Sequence, residues 1–502
     1  MPRGNFFMND QCTWIELKME NGVTRMSGSS RAEFGHSVLD EDGLECGVSG
    51  GWTWNDHSLV IESDLHGYLP LYVHHTPDRL LVSDSPLPIL SRLERRDLDP
   101  IALGFFCRAG FLIGDRTLFK DIQRIPAGAR LTWTAGTLET ELTPWKKTES
   151  PKSIKEAIDG WSDRFRVAMK RRLPVGDRFD LPLSGGRDSR MMLLELHGLG
   201  HAPRRVLSLG SSDSGASSDT SIASHLAHRL GLTFQEVLEH DVDWLSAERQ
   251  RHVACGFEAL EHVWLMPLWN ELLQGGAFWY DGLGVGSLTR NSVASPEMAK
   301  LLRDGQFSDW ASGLFALTAA TSPRWLAPIL ERTPFCIADD QSVLSDLQAE
   351  FSRHRDAPNP ITSFTFENWG RRSIALNPLA ICRSQSRVEL PFMDRDLVSW
   401  ARSIPIEMMH ENDIQTDACH RLYPEFSSLP FDDGSPPKKA KASLWLRYRR
   451  HRRKCSFFKN HARYFGTLPF EALSDSTDKS GSHRALVLMF HLASVDSLMS
   501  DR

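Results

Sequence analysis

The stretch "LPLSGGRDSR", residues 181–190, places two glycines and several polar side chains between an apolar segment and a helical pattern. The run "RFDLPL", which overlaps its start, predicts a short strand, and "SRMMLLELHGLG" predicts a helix that ends at glycine. A glycine-rich turn between a strand and a helix brings backbone N–H groups to one point, where the helix dipole adds partial positive charge. The stretch therefore predicts a phosphate-binding loop.

The side chains of this loop have the chemistry that a bound phosphate requires. The two glycines allow a close approach of the main chain, and the two serine hydroxyls are hydrogen-bond donors. Asp188 is suited to hold a Mg²⁺ that bridges phosphate oxygens, and Arg187 offers a fork-shaped donor as a catalytic residue. The alternative is that Ser-Gly-Gly only caps a helix. The predicted binding residues are Leu183, Ser184, Gly185, Gly186, Asp188 and Ser189.

The pattern along the chain predicts three parts. Short segments such as "SLVIESD", "PLYVHH", "RLLVSDS" and "ARLTWT" predict a sheet-rich domain over residues 1–145, followed by a polar linker at 146–153. Strands such as "RRVLSLG" and "TFQEVLE" alternate with helices after the linker, which predicts a parallel sheet covered on both faces within residues 154–425. Residues 426–502 are polar and weakly patterned, and we expect a basic C-terminal extension there.

The composition is that of a globular protein. The chain has 502 residues, of which 41% are hydrophobic, and its net charge of -6 gives no overall attraction to nucleic acid or to an anionic membrane. No apolar run approaches the roughly 18 residues that span a bilayer, and the first residues do not form a signal-peptide pattern. We therefore expect a cytoplasmic protein with no membrane partner. The eight cysteines form no metal-binding spacing and are predicted to be buried thiols.

Several segments resemble the asparagine synthetase superfamily. "LSGGRDS" resembles the SGGxDS pyrophosphate loop of the ATP-pyrophosphatase group, and "RVELPFMDRDLVSWARSIP" at 387–405 is similar to a segment near the end of the family's synthetase domain. "LFKDIQRIPAGARL" at 118–131, "SDLHGYLPLYVH" and "RLLVSDSPLPIL" resemble segments of its glutaminase domain. The matches follow the family's order between about residues 50 and 405.

The resemblance implies an α/β fold with two parts: an N-terminal Ntn-hydrolase-like antiparallel sandwich, and a C-terminal PP-loop ATP-pyrophosphatase-like, doubly wound parallel sheet with a helical extension. It implies ATP and Mg²⁺ as cofactors, with adenine bound against the strand end near Leu209. It also implies an AMP-forming amide ligase. In such a reaction a substrate carboxylate attacks the α-phosphate of ATP, pyrophosphate leaves, and an amine then displaces AMP.

The start of the chain departs from the glutamine-using members of the family. Those members need cysteine as the first residue of the mature chain, whereas removal of Met1 here would expose Pro2, and the first thiol is Cys12. We therefore expect no glutaminase activity, as in β-lactam synthetase and lasso-peptide cyclases. The implied substrate is a small molecule or peptide that carries both a carboxylate and an amine. A precursor peptide or a partner protein is a further implied partner.

A second departure concerns the segment "DGLGVGS", residues 281–287. Gly282 and Gly284 match the family and are predicted binding residues, but Leu283 and Gly286 stand where the family has glutamate and aspartate. Asp281 is the candidate second metal ligand beside Asp188. Because two carboxylates are missing, a second interpretation stays open: a catalytically degenerate scaffold that binds a nucleotide or a partner.

Three further residues are candidate catalytic groups. Glu367 is a candidate base, and its alternative role is a surface partner of Arg371 at i+4. Lys438 and Lys439 are candidates for stabilising charge that develops at the activated carboxyl group, the alternative being a solvated basic helix. The basic run at 447–454 leaves RNA modification as a third hypothesis, but the glutaminase-like N-terminal half favours the ligase, so we do not expect a nucleic-acid partner.

Overall fold

A computed structural model gives the structure of residues 12–500 of the 502-residue chain, with internal gaps. The residues it does not describe within that range are 146–147, 175, 177, 211–217, 239–243, 261–264, 277, 290–294, 318–320, 383–386, 433–462 and 475–478.

The N-terminal part of the chain contains two five-stranded antiparallel sheets. The first has the strand order β2-β1-β7-β6-β8 and the second has the order β10-β9-β5-β4-β3. The elements are β1 (Trp14–Glu20), β2 (Val23–Gly28), β3 (Arg31–His36), β4 (Val48–Trp54), β5 (Ser58–Glu62), β6 (Tyr72–Thr76), β7 (Arg79–Ser83), α1 (Pro86–Leu90), α2 (Pro100–Ala109), β8 (Gln123–Arg124), β9 (Ala129–Thr134) and β10 (Thr137–Leu142).

The two antiparallel sheets share one apolar core and so form a sandwich. Leu17 of β1 lies opposite Leu80 of β7 in the first sheet, while Ile61 of β5 lies opposite Leu131 of β9 in the second. All four side chains are buried in the same cluster. Alternation of apolar and polar residues turns one face of each strand toward this core. The four strands predicted here from the sequence are confirmed.

The second part of the chain contains a five-stranded parallel sheet. It comprises β11 (Phe179–Pro182), β12 (Arg205–Gly210), β13 (Phe234–Leu238), β14 (Phe278–Tyr280) and β15 (Val388–Glu389), in the order β13-β12-β11-β14-β15. The chain runs from β11 outward to β13 on one side and then returns to β14 on the other. This change of direction beside β11 is a topological switch point, where sheets of this class leave a crevice at the carboxyl ends of the strands.

Helices connect and cover the parallel sheet, and α5 and α7 both pack on β12 and β13. The helices of this first group are α3 (Ile154–Lys170), α4 (Asp188–Gly198), α5 (Ser218–Arg229), α6 (Trp244–Ala254), α7 (Met266–Gly275) and α8 (Val285–Thr289). The predicted fold class, an antiparallel sandwich followed by a doubly wound parallel sheet with helices, is confirmed.

A predominantly helical region follows. Its elements are α9 (Pro296–Arg303), α10 (Phe307–Leu317), α11 (Pro323–Arg332), α12 (Asp340–Ser352), α13 (Pro360–Thr365), a π-helix (Phe366–Ile374), α14 (Leu376–Cys382), α15 (Arg395–Ser403), α16 (Ile406–His410) and α17 (Ile414–Leu422). Single-turn 3₁₀-helices lie at Pro391–Met393 and Pro424–Phe426.

The π-helix joins the sandwich to the second part of the chain. Arg372 and Arg124 both donate to the carboxylate of Glu258, at 2.9 and 3.2 Å, and all three side chains are fully buried. The hydroxyl of Tyr68 donates to the carbonyl of Phe366 at 2.8 Å. Loss of one partner from a buried ion group costs about 3 to 5 kcal/mol, because the remaining charge stays buried. These contacts therefore fix how the two parts pack.

The C-terminal region is more ordered than the sequence indicates. A 3₁₀ turn at Arg463–Phe465, α18 (Leu468–Ser474) and α19 (Lys479–Ser500) follow one another, and α19 shares a buried cluster with α1 and α2. The run "ALVLMFHLA" in α19 is apolar all round, which is typical of a buried helix but gives no amphipathic period. The predicted extension thus contains a packed helix, while the boundary at residue 425 stays a prediction. No helix in the described ranges is long and apolar enough to cross a membrane.

Candidate functional site

The glycine-rich loop follows β11 and ends at the first turn of α4, as the sequence predicts. The N–H of Leu183 donates to the carbonyl of Leu207 at 2.7 Å, which prolongs the pairing of β11 with β12. The Ser189 hydroxyl accepts from the N–H of Ser184 at 3.1 Å, and the Ser184 hydroxyl accepts from the N–H of Gly186 at 3.2 Å. Both hydroxyls are therefore used to shape the loop.

Gly185 lies in a narrow space between two acidic side chains. Its N–H donates to the Asp219 carboxylate at 2.8 Å, and its carbonyl accepts from the N–H of Asp432 at 3.0 Å. A Cβ on Gly185 would lie 3.0 Å from the Cβ of Asp432 and 3.1 Å from the Cα of Asp219, so a larger residue would crowd this space. In this conformation a carboxylate already occupies the donor that the sequence assigns to phosphate.

The electrostatics of the two acidic groups follow from this closeness. Burial raises the pKa of the Asp219 carboxyl above its usual range, the N–H of Gly185 offsets part of that effect, and the carboxylate of Asp432 adds to the rise. Asp432 is held in turn by the hydroxyl of Ser218 at 2.5 Å. The negative charge beside the loop means that a phosphate can bind only if these carboxylates move or a cation accompanies it.

The predicted second loop, which follows β14, lies against the first. The N–H of Asp281 donates to the carbonyl of Glu389 at 2.9 Å and so continues the β14–β15 pairing. A Cβ on Gly282 would lie 2.8 Å from the Cβ of Asp188, which means that only glycine allows this approach. Gly284 has a φ of 93°, a left-handed conformation that favours glycine, and it packs against the sulfur of Met393. The structure thus brings together the two predicted loops.

Asp188 and Asp281 are close enough for their charges to interact. Burial raises the pKa of Asp281 to about 6, the N–H of Leu283 opposes this rise, and the neighbouring Asp188 adds to it. Asp188 accepts a hydrogen bond of 2.7 Å from the side-chain amide of Gln415. Carboxylate oxygens are the ligands that Mg²⁺ prefers, and a cation shared by these two groups would relieve their repulsion. The two carboxylates are therefore suitable ligands for a Mg²⁺ ion.

Arg187 is held by α17 and by an aromatic ring. Its Nη2 lies 3.0 Å from the Asp413 carboxylate, its Nε donates to the hydroxyl of Thr416, and its guanidinium carbon lies 4.6 Å from the ring centroid of Phe431. Arg190, in the next turn, donates to the carbonyls of Leu429 and Pro430. The segment 429–432 is thus anchored over the glycine loop.

The two positions that lack the family's carboxylates have different surroundings. Leu283 is only 3% exposed and belongs to the main apolar core, so its side chain takes no part in a polar site. A Cβ on Gly286 would meet nothing within 4 Å, which leaves open space where the aspartate is expected. Asp281 is therefore the acidic group of this loop whose charge interacts with that of Asp188.

The comparisons with known proteins do not identify a family for this chain. No protein-family model matches the sequence, and no curated protein matches it. Among solved structures, the chain is similar to the U34-tRNA thiolase NcsA from Methanococcus maripaludis with its 4Fe-4S cluster, at 11% identity over 62% of this chain and 77% of that chain, with a TM-score of 0.23.

Two further solved structures are similar to parts of the chain. One is an allosteric regulatory enzyme of purine biosynthesis, at 9% identity over 39% of this chain and 47% of that chain. The other is the glutamine phosphoribosylpyrophosphate amidotransferase from B. subtilis in complex with ADP and GMP, at 10% identity over 49% of this chain and 44% of that chain. Both have TM-scores of 0.15.

Glu367 does not have the surroundings that the sequence predicts. Its carboxylate is partly buried in the π-helix and accepts from Arg402 at 2.6 Å, while Arg371 donates instead to Asp115 at 2.7 Å. The alternative role of Glu367 as a surface partner of Arg371 is therefore wrong, because the wider turn of the π-helix changes which side chains share a face. Burial raises the pKa of Glu367, but Arg402 and the nearby cations more than offset it, so that the pKa lies below its usual range.

The other predicted residues have separate positions. Leu209 lies at the end of β12, and its carbonyl accepts from the hydroxyl of Thr220 at 3.3 Å. Lys438, Lys439 and the basic run at 447–454 lie outside the described residues. The role of the two lysines stays a prediction.

The sequence does not predict the residues that approach the loop from a distance along the chain. These are Asp413, Gln415 and Thr416 of the α17 start and Phe431 and Asp432 after it. The only local signal is that Asp413 caps α17 by accepting from the N–H of Thr416 at 3.0 Å, a pattern visible as "DIQT". Nothing local indicates that this helix start lies against residues 187 and 188.

Proposed function

We propose that this protein is an ATP-dependent, AMP-forming amide ligase without glutaminase activity. One observation carries the proposal: the glycine loop after β11 and the loop after β14 meet at the switch point of a parallel sheet, where the charges of Asp188 and Asp281 interact. A helix start, glycines and paired carboxylates together suit the triphosphate of a nucleotide with its Mg²⁺. The sequence resemblance to the asparagine synthetase superfamily supports the choice of reaction.

The first half-reaction joins the substrate's carboxylate to the nucleotide. A carboxylate oxygen forms a bond to the α-phosphorus of ATP, the bond from that phosphorus to the bridging oxygen breaks, and pyrophosphate leaves with the electron pair. The N–H groups of the glycine loop and the start of α4 would stabilise the charge of the leaving pyrophosphate. Asp188 and Asp281 would hold Mg²⁺, which supplies positive charge to the phosphate oxygens.

The second half-reaction forms the amide. The substrate's amine attacks the acyl carbon, AMP leaves with its bonding electrons, and the amine loses a proton. Glu367 is poorly suited to accept that proton, because its ion pair with Arg402 and its lowered pKa both favour the state that holds no proton. Lys438 and Lys439 remain candidates for stabilising the charge that develops on the acyl-adenylate. The backbone near Leu209 is the proposed contact for adenine.

Binding of the nucleotide requires Asp219 and Asp432 to move away from the loop. The N–H of Gly185 has to exchange the Asp219 carboxylate for a phosphate oxygen. The hydrogen bond from the N–H of Asp432 to the carbonyl of Gly185 has to break. Such an exchange replaces one anion by another at the same donor, so the loop geometry itself need not change. The substrate carrying the carboxylate and the amine is proposed to be a small molecule or peptide of a biosynthetic pathway in the cytoplasm.

Calorimetry with ATP and Mg²⁺ tests the proposal, together with exchange of labelled pyrophosphate into ATP in the presence of carboxylate-bearing amino acids and peptides. We expect Mg²⁺-dependent ATP binding in the wild-type protein and its loss in Asp188→Ala. Pyrophosphate exchange with at least one acid would establish adenylation. Equal ATP binding by the wild type and by Asp188→Ala would contradict the proposed site.

A nucleotide-binding or partner-binding scaffold without turnover is the second candidate. It is favoured by the hydrogen bond between the N–H of Gly185 and the Asp219 carboxylate, which occupies the donor needed for phosphate. It is also favoured by Leu283, a buried apolar residue at the position where the resembled family has a carboxylate. A scaffold of this kind predicts ATP binding that does not depend on Mg²⁺ and no formation of AMP with any acid. The same calorimetric series in the presence of EDTA therefore distinguishes the two candidates.

A further inference from the structure

The side chain of Gln415 lies between the start of α4 and the end of α8. It is fully buried, in the first turn of α17. Its amide nitrogen donates to Oδ1 of Asp188 at 2.7 Å, and its amide oxygen lies 3.4 Å from the hydroxyl of Thr289, at the end of α8. That hydroxyl also lies 2.9 Å from the carbonyl oxygen of Val285. A short polar chain thus connects the loop after β11 with the helix that follows β14.

This contact fixes the orientation of the Asp188 carboxylate. Oδ1 accepts from Gln415, whereas Oδ2 lies on the side of Gly282, where a Cβ would be 3.6 Å from it. Oδ2 is therefore the oxygen that faces the loop of Asp281. A buried side-chain amide that loses its partner costs about 1 to 3 kcal/mol, so Gln415 resists rotation of the carboxylate.

The chemical identity of the residue matters as well. A lysine or arginine at position 415 would neutralise Asp188 and so compete with a bound cation, whereas the neutral amide leaves the full negative charge on the carboxylate. The same first turn of α17 also holds Arg187, through Asp413 and Thr416. The helix start thus supports both charged side chains of the glycine loop without adding positive charge beside the carboxylate.

We propose that Gln415 is a positioning residue that orients Asp188 toward a divalent cation shared with Asp281. The inference rests on the proposed function, because it assumes that the two carboxylates bind Mg²⁺ together with ATP. Residues that orient metal ligands typically change metal affinity about 10- to 100-fold when they are replaced. Thr289 contributes through Gln415 and has the smaller effect.

The test measures the Mg²⁺ dependence of ATP binding by calorimetry in the full-length protein. Gln415→Met keeps the length of the side chain and removes its hydrogen bonds. We expect the Mg²⁺ concentration for half-maximal enhancement of ATP binding to rise about 10-fold, while ATP affinity in EDTA changes by less than about twofold. Gln348→Met, an exposed position on α12, is the matched control and leaves both quantities unchanged.

The outcomes separate this inference from the proposed function. No Mg²⁺-dependent ATP binding in the wild type contradicts the proposed function itself. Normal wild-type binding with an unchanged Mg²⁺ dependence in Gln415→Met overturns the positioning role, and so does an equal loss of ATP affinity with and without Mg²⁺. Should Gln415→Met fail to fold by circular dichroism, Thr289→Val decides: a two- to threefold rise in the half-maximal Mg²⁺ concentration supports the inference, and no change overturns it.

Discussion

The loops after β11 and after β14 have similar places in the fold but different chemistry. Both leave adjacent parallel strands at the same edge of the sheet, both contain glycines that allow close packing, and both lead into a helix. The first is surrounded by Asp219, Asp432 and the serine hydroxyls. The second is packed at Gly284 against Met393 and the ring of Phe366.

The difference indicates that the first loop is suited to bind a ligand, whereas the second loop supports the first by packing. Polar groups around Gly185 can exchange partners with a phosphate, since each hydrogen bond lost in opening is replaced by another. Apolar packing around Leu283 and Gly284 can only be lost, because no ligand atom would replace it. We therefore expect changes in the first loop to alter nucleotide binding and changes in the second loop to alter stability.

The largest expected effect is on the stability provided by the second loop. Leu283→Ala removes a side chain that is 3% exposed, and such a change costs about 2 to 5 kcal/mol of the free energy of unfolding. Urea denaturation measures it, with Leu39→Ala, at an exposed position, as the control. If the variant loses less than about 0.5 kcal/mol, Leu283 does not form part of the packed wall, and the comparison fails.

The second prediction concerns the first loop. Asp188→Asn removes a negative charge from the cation site, and we expect Mg²⁺-dependent ATP affinity to fall about 100-fold, or about 2.7 kcal/mol. The free energy of unfolding should change far less. Calorimetry with Mg²⁺ and ATP measures the affinity, and Asp163→Asn, on the exposed side of α3, serves as the matched control. An affinity within twofold of the wild type would remove Asp188 from the site.

A pH effect on stability sharpens the comparison at the second loop. The Nε2 of His66 lies 2.8 Å from the carbonyl oxygen of Met393, the residue that packs on Gly284, and burial lowers the pKa of His66 to about 3. In the unfolded chain the imidazole of His66 binds a proton below about pH 6.5, whereas in the folded protein it stays neutral down to about pH 3. The contribution of His66 to stability is therefore fully present above pH 6.5 and is lost as the pH falls from 6.5 toward 3.

The size of this pH effect follows from the linkage. Because only the unfolded chain takes up a proton at this histidine, the free energy of unfolding falls by about 2 kcal/mol between pH 6.5 and pH 5. Urea denaturation at pH 7 and pH 5 should show a loss in the wild type that exceeds the loss in His66→Gln by this amount. His57→Gln, at an exposed site, should lose as much as the wild type. Equal losses in wild type and His66→Gln would show that His66 is not held neutral.

The smallest expected effect tests how the first loop opens. Asp432→Ala removes a carboxylate that lies beside Gly185 and Asp219, and removal of its repulsion should strengthen ATP binding about three- to tenfold, or about 1 kcal/mol. Asp417→Ala, an exposed acidic residue of α17, is the control for net charge. Weaker binding in Asp432→Ala would mean that Asp432 helps the ligand to bind.

The sequence predicts the elements that carry a local period and misses the contacts between distant segments. The strand, glycine turn and helix around Gly185 follow from neighbouring residues, and so does the parallel sheet. The closure of the loop by Asp432 and the support from Gln415 depend on chain segments more than 200 residues away, and no local pattern indicates them. The sequence does not predict the ion pair of Glu367 with Arg402, because residues 366–374 form a π-helix, in which side chains at i and i+4 do not pair as they do in an α-helix.

A crystal structure with ATP and Mn²⁺ in place of Mg²⁺ tests the central claim most directly, since the anomalous signal of Mn²⁺ locates the cation. We predict a Mn²⁺ peak between the carboxylates of Asp188 and Asp281, with the β- and γ-phosphates bound to the N–H groups of residues 185–187 and Asp432 displaced from Gly185. Nucleotide bound elsewhere in the protein, with the Asp219 carboxylate still bonded to Gly185, would contradict it.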